Sequence, residues 1–155
     1  MLAVACGLLR ALAHSGRRVA GMKPVASGCH GSAGGLRNAD AEALLACSSL
    51  SLDYQDINPY AFAPPTAPHL AARAAGVTID IDTIRIHYQR LVAQVDDVVV
   101  EGVGGWRVPL GMHTSMADVV QALRLPVILV VGIRLGAMNH ALLTLTTLAN
   151  AGART

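Results

Sequence analysis

Apolar positions recur along the chain at two periods. Leu2, Cys6, Leu9 and Ala13, with Ala5 and Leu12 beside them, fall on one face of a helix over residues 2 to 14, and Ser15-Gly16 supplies its stop. Arg18 to Met22 reads as a short strand running into Lys23-Pro24-Val25-Ala26-Ser27-Gly28, a turn in which proline ends the strand. A flexible loop is expected at Gly31 to Gly35, and then Asn38 caps a helix over Ala39 to Ser48 with Asp40 in its first turn. Residues 54 to 69 carry Pro59, Pro64, Pro65 and Pro68 and predict an irregular, ordered loop that buries Tyr60 and Phe62, with His69 starting the next helical turn. Further helices are predicted over about Asp82 to Val95, around Met116 to Leu123, and from about Met138 to Ala149, with Asn139 and His140 at the first turn of the last. Asp97 to Val100 and Val127 to Val131 carry apolar side chains on both faces, which is the pattern of fully buried parallel strands.

Strands alternating with helices identify an α/β chain with a parallel sheet. The 155 residues amount to one domain, and no internal repeat or low-complexity segment divides them. Three strands make a small parallel sheet with long unpaired edges, and no residue ahead of the first helix can cap its amides. The expectation is a single partial domain over residues 1 to 155, incomplete at both ends.

Composition narrows the functions available. Hydrophobic residues make up 53% and charged residues 14%, which raises the question of a membrane span. The longest apolar run, Leu125 to Ile133, is nine residues with Pro126 and Gly132 counted in, against the roughly 20 a bilayer requires. A formal net charge of +2 from scattered arginines, with 3% aromatic residues, argues against a nucleic-acid partner. Cys6, Cys29 and Cys47 show no CxxC spacing, which fits a reducing compartment better than a disulfide framework or a zinc site. The first 13 residues lack the basic start of a signal peptide, and Arg10 interrupts their apolar run, so a cytoplasmic location is expected.

Candidate chemistry gathers at strand ends. Asp97 to Val100 ends on Glu101, and three glycines follow within Gly102 to Gly105. In an open parallel sheet ligands bind beyond the carboxyl ends of strands, so Glu101 stands at the mouth of such a crevice with approachable backbone behind it. A solvated carboxylate at a glycine turn is the plain alternative. Lys23 and Ser27 offer an amine and a hydroxyl on the turn after the first strand, although without further context a solvated lysine at a strand end is the plainer reading. Asp40 is explained on local grounds as a favourable charge near a helix N-terminus.

Met22-Lys23-Pro24-Val25-Ala26-Ser27-Gly28, Leu36-Arg37-Asn38-Ala39-Asp40, Asn58-Pro59-Tyr60, Pro64-Pro65-Thr66-Ala67-Pro68-His69, Val100-Glu101-Gly102-Val103-Gly104-Gly105 and Pro126 to Gly132 follow one another in this order. Together they resemble the dethiobiotin synthetase family, from residue 1 to about residue 152. The resemblance implies a P-loop NTPase fold, a homodimer, and an ATP-dependent and Mg2+-dependent carboxylation and ring closure of 7,8-diaminononanoate with CO2 in biotin synthesis. It further implies that Lys23 stabilises the carbamate and the transferring phosphate, that Ser27 binds substrate, and that Asp40 and Glu101 hold Mg2+ beside the nucleotide. Gly104 would present its amide to bound ligand, and Asn139 would contact substrate across the dimer interface.

The family's first strand and its phosphate loop ending Gly-Lys-Thr should precede the first helix, and Met1 stands about where that lysine would be. The family's later strand and adenine-holding loops should follow the last helix. Two outcomes are expected from these departures: a fragment of a working synthetase, or a noncatalytic remnant that survives as a binding or dimerising module. A related NTPase phosphorylating another carboxylate is the third reading. Catalysis by these 155 residues alone is therefore an open expectation, whereas the family implies a ligase.

Overall fold

The computed structural model describes residues 1–155. Helix α1 spans Leu2–His14, and the chain enters β1 at Val19–Met22. Strand β2 is Val25–Ser27, β3 is His30–Ser32, β4 is Gly35–Arg37, and α2 is Ala39–Ala46. A single turn of helix, α3 (Tyr54–Ile57), leads to β5 (Tyr60–Phe62) and α4 (Pro68–Ala74). The remaining elements are α5 (Ile81–Val92), β6 (Asp97–Val100), α6 (Met116–Leu123) and α7 (Ala137–Asn150). The architecture is α/β with parallel strand pairs and flanking helices, as the alternation predicts.

Strand β1 pairs in parallel with β6, from Val19 opposite Asp97 to Met22 opposite Val100. Its side chains divide between two faces, as a strand's period of two requires. Ala20 and Met22 enter the main core with Ile57, Ile84, Leu91, Met116 and Val119, and Val19 joins Leu9 of α1 and Leu44 of α2 on the other face. Helix α2 presses closely there: a Cβ on Gly21 would lie 2.7 Å from Leu44 Cβ and 3.0 Å from Leu9 Cδ1. Salt bridges at the strand starts pin the register, Arg17 to Asp97 and Arg18 to Asp96. Another polar tie joins α3 to α5, with His87 Nδ1 2.7 Å from Asp56 Oδ1 and Arg90 Nη1 3.4 Å from the same oxygen.

Several expectations are corrected. The turn expected at residues 23 to 28 contains β2, which pairs in parallel with β5, Val25 opposite Tyr60 and Ser27 opposite Phe62. Residues 54 to 69 are accordingly not an irregular loop throughout. The loop expected at Gly31 to Gly35 is part of an antiparallel hairpin, with His30 opposite Arg37 and Ser32 opposite Gly35. These strands are three residues long, too short for any alternation to show.

The larger correction concerns Val127 to Val131. It forms no strand, and its only backbone hydrogen bond runs from Val127 N–H to Arg154 O, at 2.7 Å. Strand β6 is likewise half-buried along its length rather than fully buried. One cause accounts for both: a groove of about 300 Å³ lies between them, lined by Val98, Val100, Ile128 and Val130 together with Val4 and Leu8 of α1. Neither backbone edge reaches the other, so the apolar run has no ladder to join. The three two-stranded sheets are therefore not one continuous sheet.

Candidate active site

The register of β1 on β6 decides where the first polar residues beyond them lie. Met22 faces Val100, so Lys23 and Glu101 are neighbours at the carboxyl ends of adjacent parallel strands. Pro24 has no N–H to extend β1, and the Lys23 N–H instead donates to Ile57 O at 2.7 Å. The Glu101 N–H continues the ladder one residue further, donating to Met22 O at 2.8 Å.

Helix α2 brings the third charge. Asn38 caps it, with Oδ1 accepting from the N–H groups of Asp40 at 3.1 Å and Ala41 at 3.2 Å. Asp40 thus sits in the first turn, where the exposed amides favour a carboxylate. Lys23 Nζ lies 2.8 Å from Asp40 Oδ2 and 2.8 Å from Glu101 Oε1. Lys23 is 5% exposed and Glu101 6%, whereas the Asp40 side chain is 40% exposed and opens the cluster to solvent.

A cleft of about 360 Å³ is lined by Lys23, Ser27, Asp40, Glu101 and Gly104, with Asn38 and Met1 among the remaining wall residues. Five of the residues expected from sequence therefore meet at one place. Asn139 does not line it: it is exposed in the first turn of α7, after Gly136. Asn38 and Met1 were not anticipated as lining. The cap signal at Asn38 was visible in the sequence, and two residues from Asp40 a cap must stand close to whatever that carboxylate binds.

Glycine is required at 104, where φ is +69° and a Cβ would lie 2.7 Å from Val108 Cγ2. Bare backbone consequently forms that part of the wall.

The cluster is electrostatically unfinished. One ammonium between two carboxylates leaves a negative charge in excess, and Glu101 Oε2 is buried without a hydrogen-bond partner. A buried, unpartnered carboxylate oxygen is costly unless a cation or donor meets it. Hard oxygen donors of this kind suit Mg2+, which binds through one or two carboxylates and keeps water or phosphate oxygens elsewhere in its shell. No three His, Cys, Asp or Glu side chains converge anywhere in the chain.

A family model described as an AAA domain matches residues 3–155. The chain belongs to the AAA-domain family. Among curated proteins it is similar to the ATP-dependent dethiobiotin synthetase of Pseudomonas aeruginosa strain UCBPP-PA14, 53% identical over 144 residues, covering 91% of this chain and 62% of that protein. The synthetase of the same name from Xanthomonas euvesicatoria pv. vesicatoria strain 85-10 is 52% identical over 145 residues, covering 94% of this chain and 65% of that protein. The chain thus spans slightly less than two thirds of the length of the curated relatives it matches. No helix of the chain is long and apolar enough to cross a membrane.

Proposed function

We propose that the protein acts in ATP-dependent dethiobiotin synthesis, carboxylating 7,8-diaminononanoate with CO2 and closing the ureido ring. The observation that carries this reading is the buried ammonium of Lys23 held between Asp40 and Glu101 beside an unpartnered carboxylate oxygen. The similar proteins of Pseudomonas and Xanthomonas are ATP-dependent dethiobiotin synthetases by name, which supports ATP as co-substrate and dethiobiotin as product.

One amine of the substrate adds to CO2 and loses a proton, giving a carbamate. The carbamate oxygen attacks the γ-phosphorus of ATP and ADP leaves, and the second amine then attacks the carbonyl carbon of the mixed anhydride and expels phosphate. Charge accumulates on oxygen at each stage, so positioned cations and donors carry the catalysis. Lys23 would lie against the carbamate and the transferring phosphoryl group, moving from its carboxylate partners toward the anion as it enters. Ser27 would donate its hydroxyl to the substrate, and the Gly104 N–H would reach bound ligand where no side chain intrudes.

Asp40 and Glu101 would hold Mg2+ next to the nucleotide, and the bound cation would supply neutralisation of phosphate charge. With both carboxylates so occupied, the Lys23 ammonium would be free for the substrate. Asn139, outside this cleft, would act on substrate from the second subunit of a cytoplasmic homodimer.

The test is ATP hydrolysis by the protein as its source makes it. Hydrolysis that requires both diaminononanoate and bicarbonate is expected, and hydrolysis indifferent to the diamine would contradict the proposed acceptor.

A further inference from the structure

Two side chains outside the cleft wall join the backbones that carry Lys23 and Asp40. Asn58, 3% exposed, donates from Nδ2 to Lys23 O at 2.7 Å and to Tyr60 O at 3.2 Å. Its Oδ1 accepts from the Tyr54 hydroxyl at 3.3 Å, and the Tyr54 oxygen accepts from the Asn38 N–H at 2.8 Å. The Arg37 guanidinium lies over the Tyr54 ring, 3.8 Å from its centre. Burial pushes the Tyr54 phenol upward in pKa, with its hydrogen bond to Asn38 acting the other way, so the phenol remains protonated and keeps its donor.

Every donor in this chain of contacts is used once. The two amide hydrogens meet two carbonyls, and the phenol gives one hydrogen bond and takes one. The opposite amide orientation would aim Oδ1 at two carbonyl oxygens, so the network itself fixes the assignment. One end of it is the backbone of Lys23. The other is the capping residue of α2, two positions before Asp40. A lysine side chain can reach many points from one backbone position, so its partner is selected by where the backbones are held.

We propose that Tyr54 and Asn58 are positioning residues of this site, setting the separation at which Lys23 Nζ meets Asp40 Oδ2. The proposal rests on the reading of Lys23 and Asp40 as site residues and deepens it. Removing the Tyr54 oxygen leaves the Asn38 N–H without its acceptor and lets the start of α2 shift away from Lys23.

Lys23 is the single lysine of the chain, so acetylation by acetic anhydride, followed by peptide mass spectrometry against an added lysine peptide, reads this one amine. Asp40→Asn is expected to speed Lys23 acetylation. Tyr54→Phe should speed it by about three- to tenfold, the equilibrium worth of one hydrogen bond, and Asn58→Ser should act in the same direction. The Tyr54→Phe, Asp40→Asn double variant should be no faster than Asp40→Asn alone. Leu123→Ala, a core cavity in α6 that removes none of the network's hydrogen bonds, should leave the rate at its native value.

An unchanged rate in Tyr54→Phe or Asn58→Ser overturns the proposal. So does multiplication of the Tyr54 and Asp40 effects, or an equal acceleration in Leu123→Ala, which would indicate general loosening. No nucleotide, metal or diamine enters the assay, so its outcome is independent of the proposed reaction.

Discussion

Lys23 Nζ stands 2.8 Å from Glu101 Oε1, and the two residues are the first beyond the paired ends of β1 and β6. Both are nearly closed to solvent, so each depends on the other for its charge. Removing one partner of such a buried pair typically costs about 3–5 kcal/mol because the remaining charge is stranded. Lys23→Met is therefore expected to lower the thermal midpoint sharply, and Glu101→Gln in the same chain should recover much of the loss. A single variant as stable as the native protein would contradict this coupling.

Gly104→Ala meets two obstacles at once. A left-handed backbone costs an L-residue about 1–2 kcal/mol, and the new methyl would press on Val108 Cγ2. Denaturant unfolding should show a lowered midpoint that Val108→Ala restores in part. An unchanged midpoint would mean that this glycine is not structurally required.

How far the sequence reveals this arrangement depends on the length of each signal. Helices α1 and α6 carry apolar stripes over two turns or more and lie where the periodicity puts them, and the Asn38 cap is found in its expected place. Glu101 at a strand end could be located because β-branched runs mark parallel strands well. The same rule misleads at Val127 to Val131, because an apolar pattern reports side chains and says nothing of a neighbouring backbone edge. Strands β2 to β5 are three residues each and hidden among glycine and proline. Asn58 and Tyr54 leave no mark in one sequence, since a buried asparagine is recognised only from the carbonyls that surround it.

Acid should weaken the strand starts. Hydrogen bonds from Arg18 hold Asp96 down at about 2 from the ordinary 3.8, and a hydrogen bond from Arg17 lowers Asp97 as well. A folded value below the unfolded one means that the contribution of the pair is complete above about pH 4 and is lost as pH falls toward about 2. The urea midpoint should fall across that window, and less steeply in Asp96→Asn. Equal slopes for the two proteins would show that this pair contributes nothing measurable.

Near α7 the chain presents apolar side chains to solvent, with Ile133 96%, Leu135 105% and Met138 77% exposed. Surfaces of this kind drive association. Sedimentation of the 155-residue chain should show self-association that the Ile133→Glu, Leu135→Glu, Met138→Glu variant reduces, with no loss of stability since none of the three is buried. Identical sedimentation of the two would place the association elsewhere.

In the proposed reaction Lys23, between Asp40 and Glu101, handles the carbamate and the transferring phosphate of an ATP-dependent ring closure. The test is incorporation of isotopically labelled bicarbonate into dethiobiotin by the protein isolated from its source, with ATP, Mg2+ and 7,8-diaminononanoate, beside its Lys23→Met variant assayed below that variant's own thermal midpoint. Labelled product from the native protein and a loss of about a hundredfold or more in the variant are predicted, the scale set by removal of a charge-stabilising donor. No labelled product from the folded native protein, or equal rates from both, would contradict it.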